Sequence, residues 1–181
     1  MKPRNIQDLL THVRQPGTLS AALTGVIGSG LAAGRRPLIR QLSEARFQKL
    51  MNEFFPGCEL TNGEGNPGLR PTGSDEFDDL VTLLLDHRAE PSEALAWLAF
   101  AMATAAMGEN HLWQDMGLES RNLLSALIGE HFPQLHALNS ANMKWKKFFY
   151  RQLCERAGVP ICKAPHCREC CDYAACFGPE S

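Results

Sequence analysis

No stretch of this 181-residue chain is long and apolar enough to span a bilayer. The most apolar run, Ala94 to Met107, covers 14 residues with Thr104 as its one polar member, which suits a buried core helix. Met1 to Asp8 lacks the apolar stretch of a signal peptide; Leu9-Leu10 is the first apolar pair, and Thr11-His12 follows at once. An excess of charge of either sign is also missing. Eighteen Lys and Arg against twenty Asp and Glu leave a net −2, which gives no global attraction to nucleic acid or anionic lipid. There is no convincing strand pattern and no plausible Ser/His/Asp arrangement. Gly25-x-x-Gly28-Ser29-Gly30-x-x-x-Gly34 lacks the Lys-Ser/Thr of a P-loop and follows no strand, so it reads as close helix packing. Asp75, Glu76, Asp78 and Asp79 read as acids at a helix start rather than as an active site. These absences lead to the expectation of a soluble, cytoplasmic, monomeric protein with no nucleic-acid or membrane partner.

What is present is helical periodicity and a knot of cysteines. The expected helices run from about Ile6 to Arg14, Leu19 to Ala33, Ile39 to Phe55, Ser74 (as cap) to the region after Leu85, Pro91-Ser92 to Gly108, Glu119 to Glu130 and Ser140 to Ala157. Residues 56–74 hold five Gly and three Pro without periodicity and read as a loop. The expected fold is all-α, a compact helical domain of about six to seven helices over residues 1–158, with a cysteine-rich metal-binding C-terminal loop over 159–181. Phe47-x-x-Leu50-Met51-x-Glu53-x-Phe55-Pro56 echoes Leu124-x-x-Leu127-Ile128-x-Glu130-x-Phe132-Pro133. A duplicated helix pair would explain the echo, and so would chance between two ordinary amphipathic helices.

Seven cysteines in a reducing compartment argue against a disulfide framework, and five of them lie between 162 and 176. Cys162-x4-Cys167-x2-Cys170-x5-Cys176 sets four soft thiolate donors close together, suited to an iron–sulfur cluster, zinc or copper(I). The first three share the spacing of the plant-type ferredoxin loop, while four thiolates also hold zinc tetrahedrally. Spacing leaves both open. Cys171 reads as a neighbour rather than a ligand, Cys154 as a small buried residue on the last helix, and Cys58 has no obvious partner.

The run Met143-Lys144-Trp145-Lys146-Lys147-Phe148-Phe149-Tyr150-Arg151-Gln152-Leu153-Cys154-Glu155-Arg156, together with the four-cysteine spacing, resembles the NifQ family of nitrogen-fixation proteins. Asn110-His111-Leu112-Trp113-Gln114-Asp115-Met116-Gly117-Leu118 and the two Phe-Pro pairs carry the same resemblance. It implies a non-enzymatic carrier of a molybdenum–iron–sulfur cluster that donates molybdenum for the iron–molybdenum cofactor of nitrogenase. Its implied partners are the cofactor-assembly scaffold and nitrogenase reductase proteins. The matching ligand positions are Cys162, Cys167, Cys170 and Cys176.

Two histidines are candidate nitrogen donors to molybdenum, His166 beside Cys167 and His111 after the Ala-rich helix. Lys144, Lys147 and Arg151 form a basic face that would meet an acidic partner patch or draw in molybdate, unless it is an ordinary solvated face. The rival functions are an iron–sulfur electron-transfer protein and a zinc-stapled helical interaction module.

Overall fold

Three serines start helices in the same way. The hydroxyl of Ser43 accepts from the Arg46 N–H, Ser92 from Leu95 and Ser120 from Leu123, at 3.3–3.4 Å, each satisfying one of the donors a helix leaves open at its start. The computed structural model describes residues 6–63, 74–158 and 173–180. Over these the chain forms α1 (Ile6–Leu10), α2 (Thr18–Ala32), α3 (Glu44–Phe54), α4 (Ser74–Asp86), α5 (Glu93–Ala106), α6 (Leu112–Asp115), α7 (Arg121–His131), α8 (Pro133–Leu138), α9 (Trp145–Arg156) and α10 (Tyr173–Phe177). No strand occurs among the described residues, and no described helix is long and apolar enough to cross a membrane.

The two helices richest in small residues, α2 and α5, lie at the centre and pack on each other. Both are buried nearly all round, as expected of helices without a polar face. α1 covers α2, and α4 covers α5. The small residues of α2 permit close approach: a Cβ at Gly25 would collide with the Met116 carbonyl. α9 is anchored by aromatic side chains. Trp145, Phe148 and Phe149 are buried, Trp145 meets Phe148 edge-on at 5.7 Å, and the Trp145 indole donates to the Ser125 hydroxyl of α7 at 3.0 Å.

The echo in the sequence corresponds to a structural repeat. α3 and α7 each have eleven residues, a serine cap and a terminal Phe with nearly identical backbone angles: φ −132°, ψ 56° at Phe55 and φ −135°, ψ 58° at Phe132. These landmarks lie 77 residues apart (43 and 120, 55 and 132). The same long-range backbone bond closes each half, Arg14 N–H to the Phe54 carbonyl (3.0 Å) and Ala89 N–H to the His131 carbonyl (2.8 Å). Around the donor of each bond the chain reads Leu-Leu-x-His and then Pro, at 9–16 and again at 84–91. Agreement of sequence, caps and tertiary hydrogen bonds favours duplication over chance.

The fold expectation is corrected in both of its particulars. There are ten helices among the described residues rather than six or seven, because α6, α8 and α10 span only four to six residues; so short a helix cannot display a 3.6-residue repeat over two turns. No group of metal-binding side chains occurs among the described residues either, so the cysteine-rich metal-binding loop is not found there. Cys162, Cys167, Cys170 and Cys171 lie outside the described residues, and Cys176 belongs to helix α10, where Ala174 and Ala175 favour helix and Phe177 packs on the core.

Two helix starts also move. α3 begins at Glu44 rather than Ile39, and α9 at Trp145 rather than Ser140, because Gln41 and Asn142 both take the left-handed conformation (φ 56°), which ends a right-handed helix. Leu38, Ile39 and Leu42 are nevertheless buried. Buried Asn62 holds that segment, accepting from Ile39 N–H (2.8 Å) and donating to the Ile39 and Leu42 carbonyls (2.9 and 2.7 Å). The expected cap Ser74 is the first residue of α4, and its side chain lies outside the described residues, as does the part of the expected loop from 64 to 73.

Candidate metal centre and the cleft beside it

The start of α9 is fixed by a buried asparagine. Asn139 accepts from the Met143 N–H and donates to the Met143 carbonyl, both at 2.8 Å. This sends Lys144, Lys146 and Lys147 toward the turn between α5 and α6. Lys146 is caged there: its ammonium donates to the Gly108 carbonyl (2.8 Å), the Asn110 carbonyl and the Asp115 carboxylate. Both charged side chains are largely covered, 17% exposed for Lys146 and 12% for Asp115. Asp115 in turn accepts from the backbone and side-chain nitrogens of Asn110 (3.1 and 3.0 Å). Gly108 is required at this point, since a Cβ would strike the Asp115 carboxylate.

Residues 173–180 dock against this corner. Lys144 grips α10 twice, its backbone N–H donating to the Cys176 carbonyl (2.8 Å) and its ammonium to the Ala174 carbonyl (3.2 Å). A cation at the last carbonyls of a helix is favourable on hydrogen-bonding and dipole grounds. Cys176 is half-buried and Phe177 packs beside it on the core. Farther on, the Glu180 carboxylate lies 3.8 Å from Arg121 Nε and 3.9 Å from His111 Nδ1. Arg121 is held by three further bonds from Nη2, to the Asn142 carbonyl and side-chain oxygen and to the Met143 carbonyl (3.0–3.1 Å).

Between α6, the start of α9 and residues 175–180 lies a cleft of about 520 Å³. Its walls include His111, Gln114, Lys144, Lys147, Ala175 and Glu180. The fold therefore brings His111 to the same hollow as the immediate neighbour of Cys176, though their positions are 65 apart (111 and 176). His166 lies outside the described residues. The expected basic face divides. Lys144 spends donors on α10, and Lys147 is exposed at the cleft. Arg151 pairs with Glu155 (2.8 Å) and borders a different hollow with Leu138 and Phe148.

Of the remaining cysteines, Cys154 is half-buried like Cys176 rather than fully buried, and Cys58 is buried, its thiol pKa pushed up by desolvation. Sequence reasoning passed over Lys146, Asp115, Arg121 and Glu180. Lys146 and Asp115 both stand inside runs that carry the family resemblance, but nothing local marks them as partners across 31 positions.

Residues 22–178 match the family model for NifQ. The chain belongs to the NifQ family. Protein NifQ of Rhodobacter capsulatus is 40% identical over 167 residues, covering 88% of this chain and 89% of the relative. Protein NifQ of Klebsiella pneumoniae is 49% identical over 151 residues, 80% of this chain and 89% of the relative. With Protein NifQ of Azotobacter vinelandii the identity is 46% over 106 residues, 59% of this chain and 54% of the relative. No solved structure matches the chain. The matched span takes in both halves of the repeat from within α2 onward, all four candidate cysteines and the cleft walls except Glu180.

Proposed function

We propose that this NifQ-family chain is a carrier rather than an enzyme. Its cargo is a molybdenum-containing iron–sulfur cluster, and it delivers molybdenum to the scaffold and reductase proteins that assemble the nitrogenase iron–molybdenum cofactor. The thiolates of Cys162, Cys167, Cys170 and Cys176 hold the cargo. In this reading the helical part, residues 1–158, is the support, and residues 159–181 carry the donors.

The observation that carries the reading is the placement of Cys176. It sits half-buried on α10, with its own carbonyl bonded to Lys144 and its neighbour Ala175 on the wall of a polar cleft. A cysteine whose backbone is docked one residue from an open hollow suits a cargo that must be both held and surrendered. Thiolates are soft donors that bind the iron corners of a cluster firmly. A harder nitrogen donor that replaces one thiolate at the molybdenum gives a bond more readily exchanged. His111 is placed for that role, since its ring shares the cleft with Ala175 and its Nδ1 lies 3.9 Å from the Glu180 carboxylate.

Anaerobic purification followed by iron, molybdenum, zinc and sulfide analysis tests the proposal. Iron with molybdenum and sulfide is the expected result, and Cys176→Ser should lose molybdenum. Iron without molybdenum would leave only an electron carrier, and zinc alone would overturn both readings.

A further inference from the structure

The carboxylate of Glu180 is in an unfavourable place unless it serves a purpose. Its side chain is only 5% exposed. Arg121 and His111 approach at 3.8 and 3.9 Å, outside hydrogen-bond range, and the Arg121 Nε is itself buried without a hydrogen-bond partner. Burying a carboxylate costs free energy that a cation recovers best at hydrogen-bond distance, and glutamate is among the residues least often buried. Three residues separate Glu180 from Cys176, and they are stiff. Phe177 packs on the core, the Gly178 N–H is bonded to the Ala174 carbonyl (2.8 Å), and Pro179 has its φ fixed by its ring.

We infer that Glu180 is a positioning residue for Cys176. Arg121 and His111 hold its carboxylate as a latch, and Lys144 grips α10 on the other side of the thiol, so Cys176 is fixed between two anchors. Lys144 makes two hydrogen bonds, whereas among the described residues Glu180 meets Arg121 and His111 only at 3.8 and 3.9 Å, so the Glu180 side of the grip opens first. That the fixed thiol serves a metal cargo rests on the function proposed above; the latch itself does not.

The test uses the full-length, reduced, metal-free chain, pulsed with iodoacetamide, with modification of each cysteine read by mass spectrometry of its peptide. Glu180→Gln should raise the Cys176 alkylation rate about tenfold while leaving Cys154 on α9 unchanged, because local opening exposes one segment only. Glu180→Asp, which keeps the charge, should fall between the two. A Cys176 rate within about twofold of the unmodified chain in both variants overturns the latch. So does loss of helical circular dichroism in both, which would mark a global role. After reconstitution with iron and sulfide, Glu180→Gln should keep its iron stoichiometry but release iron to a chelator faster. Failure of the unmodified chain to take up metal would sink the carrier reading and leave the alkylation result standing.

Discussion

α3 and α7 share a serine cap, a length and a closing Phe-Pro, yet the chain does different things after each. Beyond Pro56 it runs without helix to Asn62, and beyond Pro133 it forms α8 and reaches Asn139. The two asparagines keep the 77-residue spacing (62 and 139), both are buried, and both clamp one residue by its N–H and its carbonyl. Asn62 reaches back to Ile39, ahead of its own helix, and closes the first half on itself. Asn139 reaches forward to Met143 and launches α9. The same residue at the same place therefore makes a closed unit in one half and, in the other, the support from which Lys144, Lys146 and Lys147 reach the cleft. The two halves thus differ in the direction of one clamp, back in the first and forward to the cleft in the second.

The sharpest way to break this comparison is at the equivalent phenylalanines. Phe55→Ala and Phe132→Ala should each cost about 4 kcal/mol, since both rings are fully buried. In urea unfolding the two losses should agree to about 1 kcal/mol, and a gap of twice that would mean the halves do not share a packing logic. Next comes a feature of the second half alone. Lys146→Met leaves the Asp115 carboxylate and two carbonyls without their cation and should cost about 3 kcal/mol. The exposed Arg46–Glu93 pair should cost less than about 1 kcal/mol when Arg46 becomes Met. Equal losses would show that the cage does not differ from a surface ion pair. Smaller again, Ser43→Ala and Ser120→Ala should each remove about 1 kcal/mol, readable as a shift of the thermal midpoint.

The smallest effect concerns pH. His131 stands where the first half has Phe54 (131 and 54, 77 apart), and burial pulls its pKa below the usual 6.5, with Glu130 and Glu90 opposing. A depressed histidine pKa means that the unfolded chain takes up the proton first. The associated stability is present above about pH 6.5 and is lost as pH falls toward the lower folded value. His131→Phe, which restores the first half's residue, should flatten the pH dependence of unfolding below that point. An unchanged slope would remove His131 from the account.

The helices that sequence patterning reveals are those long enough to repeat an apolar stripe or to be uniformly small, α2 and α5 above all. The single-turn helices were not legible, because their reasons are tertiary. α6 exists where Asp115 meets Lys146, and α10 where Lys144 takes its carbonyls. The true starts of α3 and α9 were hidden for a related reason. The apolar stripe continues through Ile39 and Leu42, but left-handed Gln41 interrupts the backbone, and Asn62 supplies the hydrogen bonds a helix would have made. At the cleft, the sequence singled out His111 and the cysteines by residue type alone, and the structure places His111 on the cleft wall and Cys176 one residue from it. Glu180 and Arg121 could not be singled out, since a glutamate and an arginine 59 positions apart (121 and 180) carry no mark of their meeting.

The contact between Gly25 of α2 and the Met116–Gly117 turn gives the cleft an unexpected dependence. Backbone meets backbone there with no side chain between, and Gly117 needs its left-handed φ of 64°. The turn continues directly from α6, which holds Gln114 and Asp115 and follows His111. A methyl group added at position 25 would push on that turn with nothing soft to absorb the displacement. The tolerance of the cleft corner is thus set in part by a glycine that has no chemistry of its own and belongs to the opposite half of the repeat.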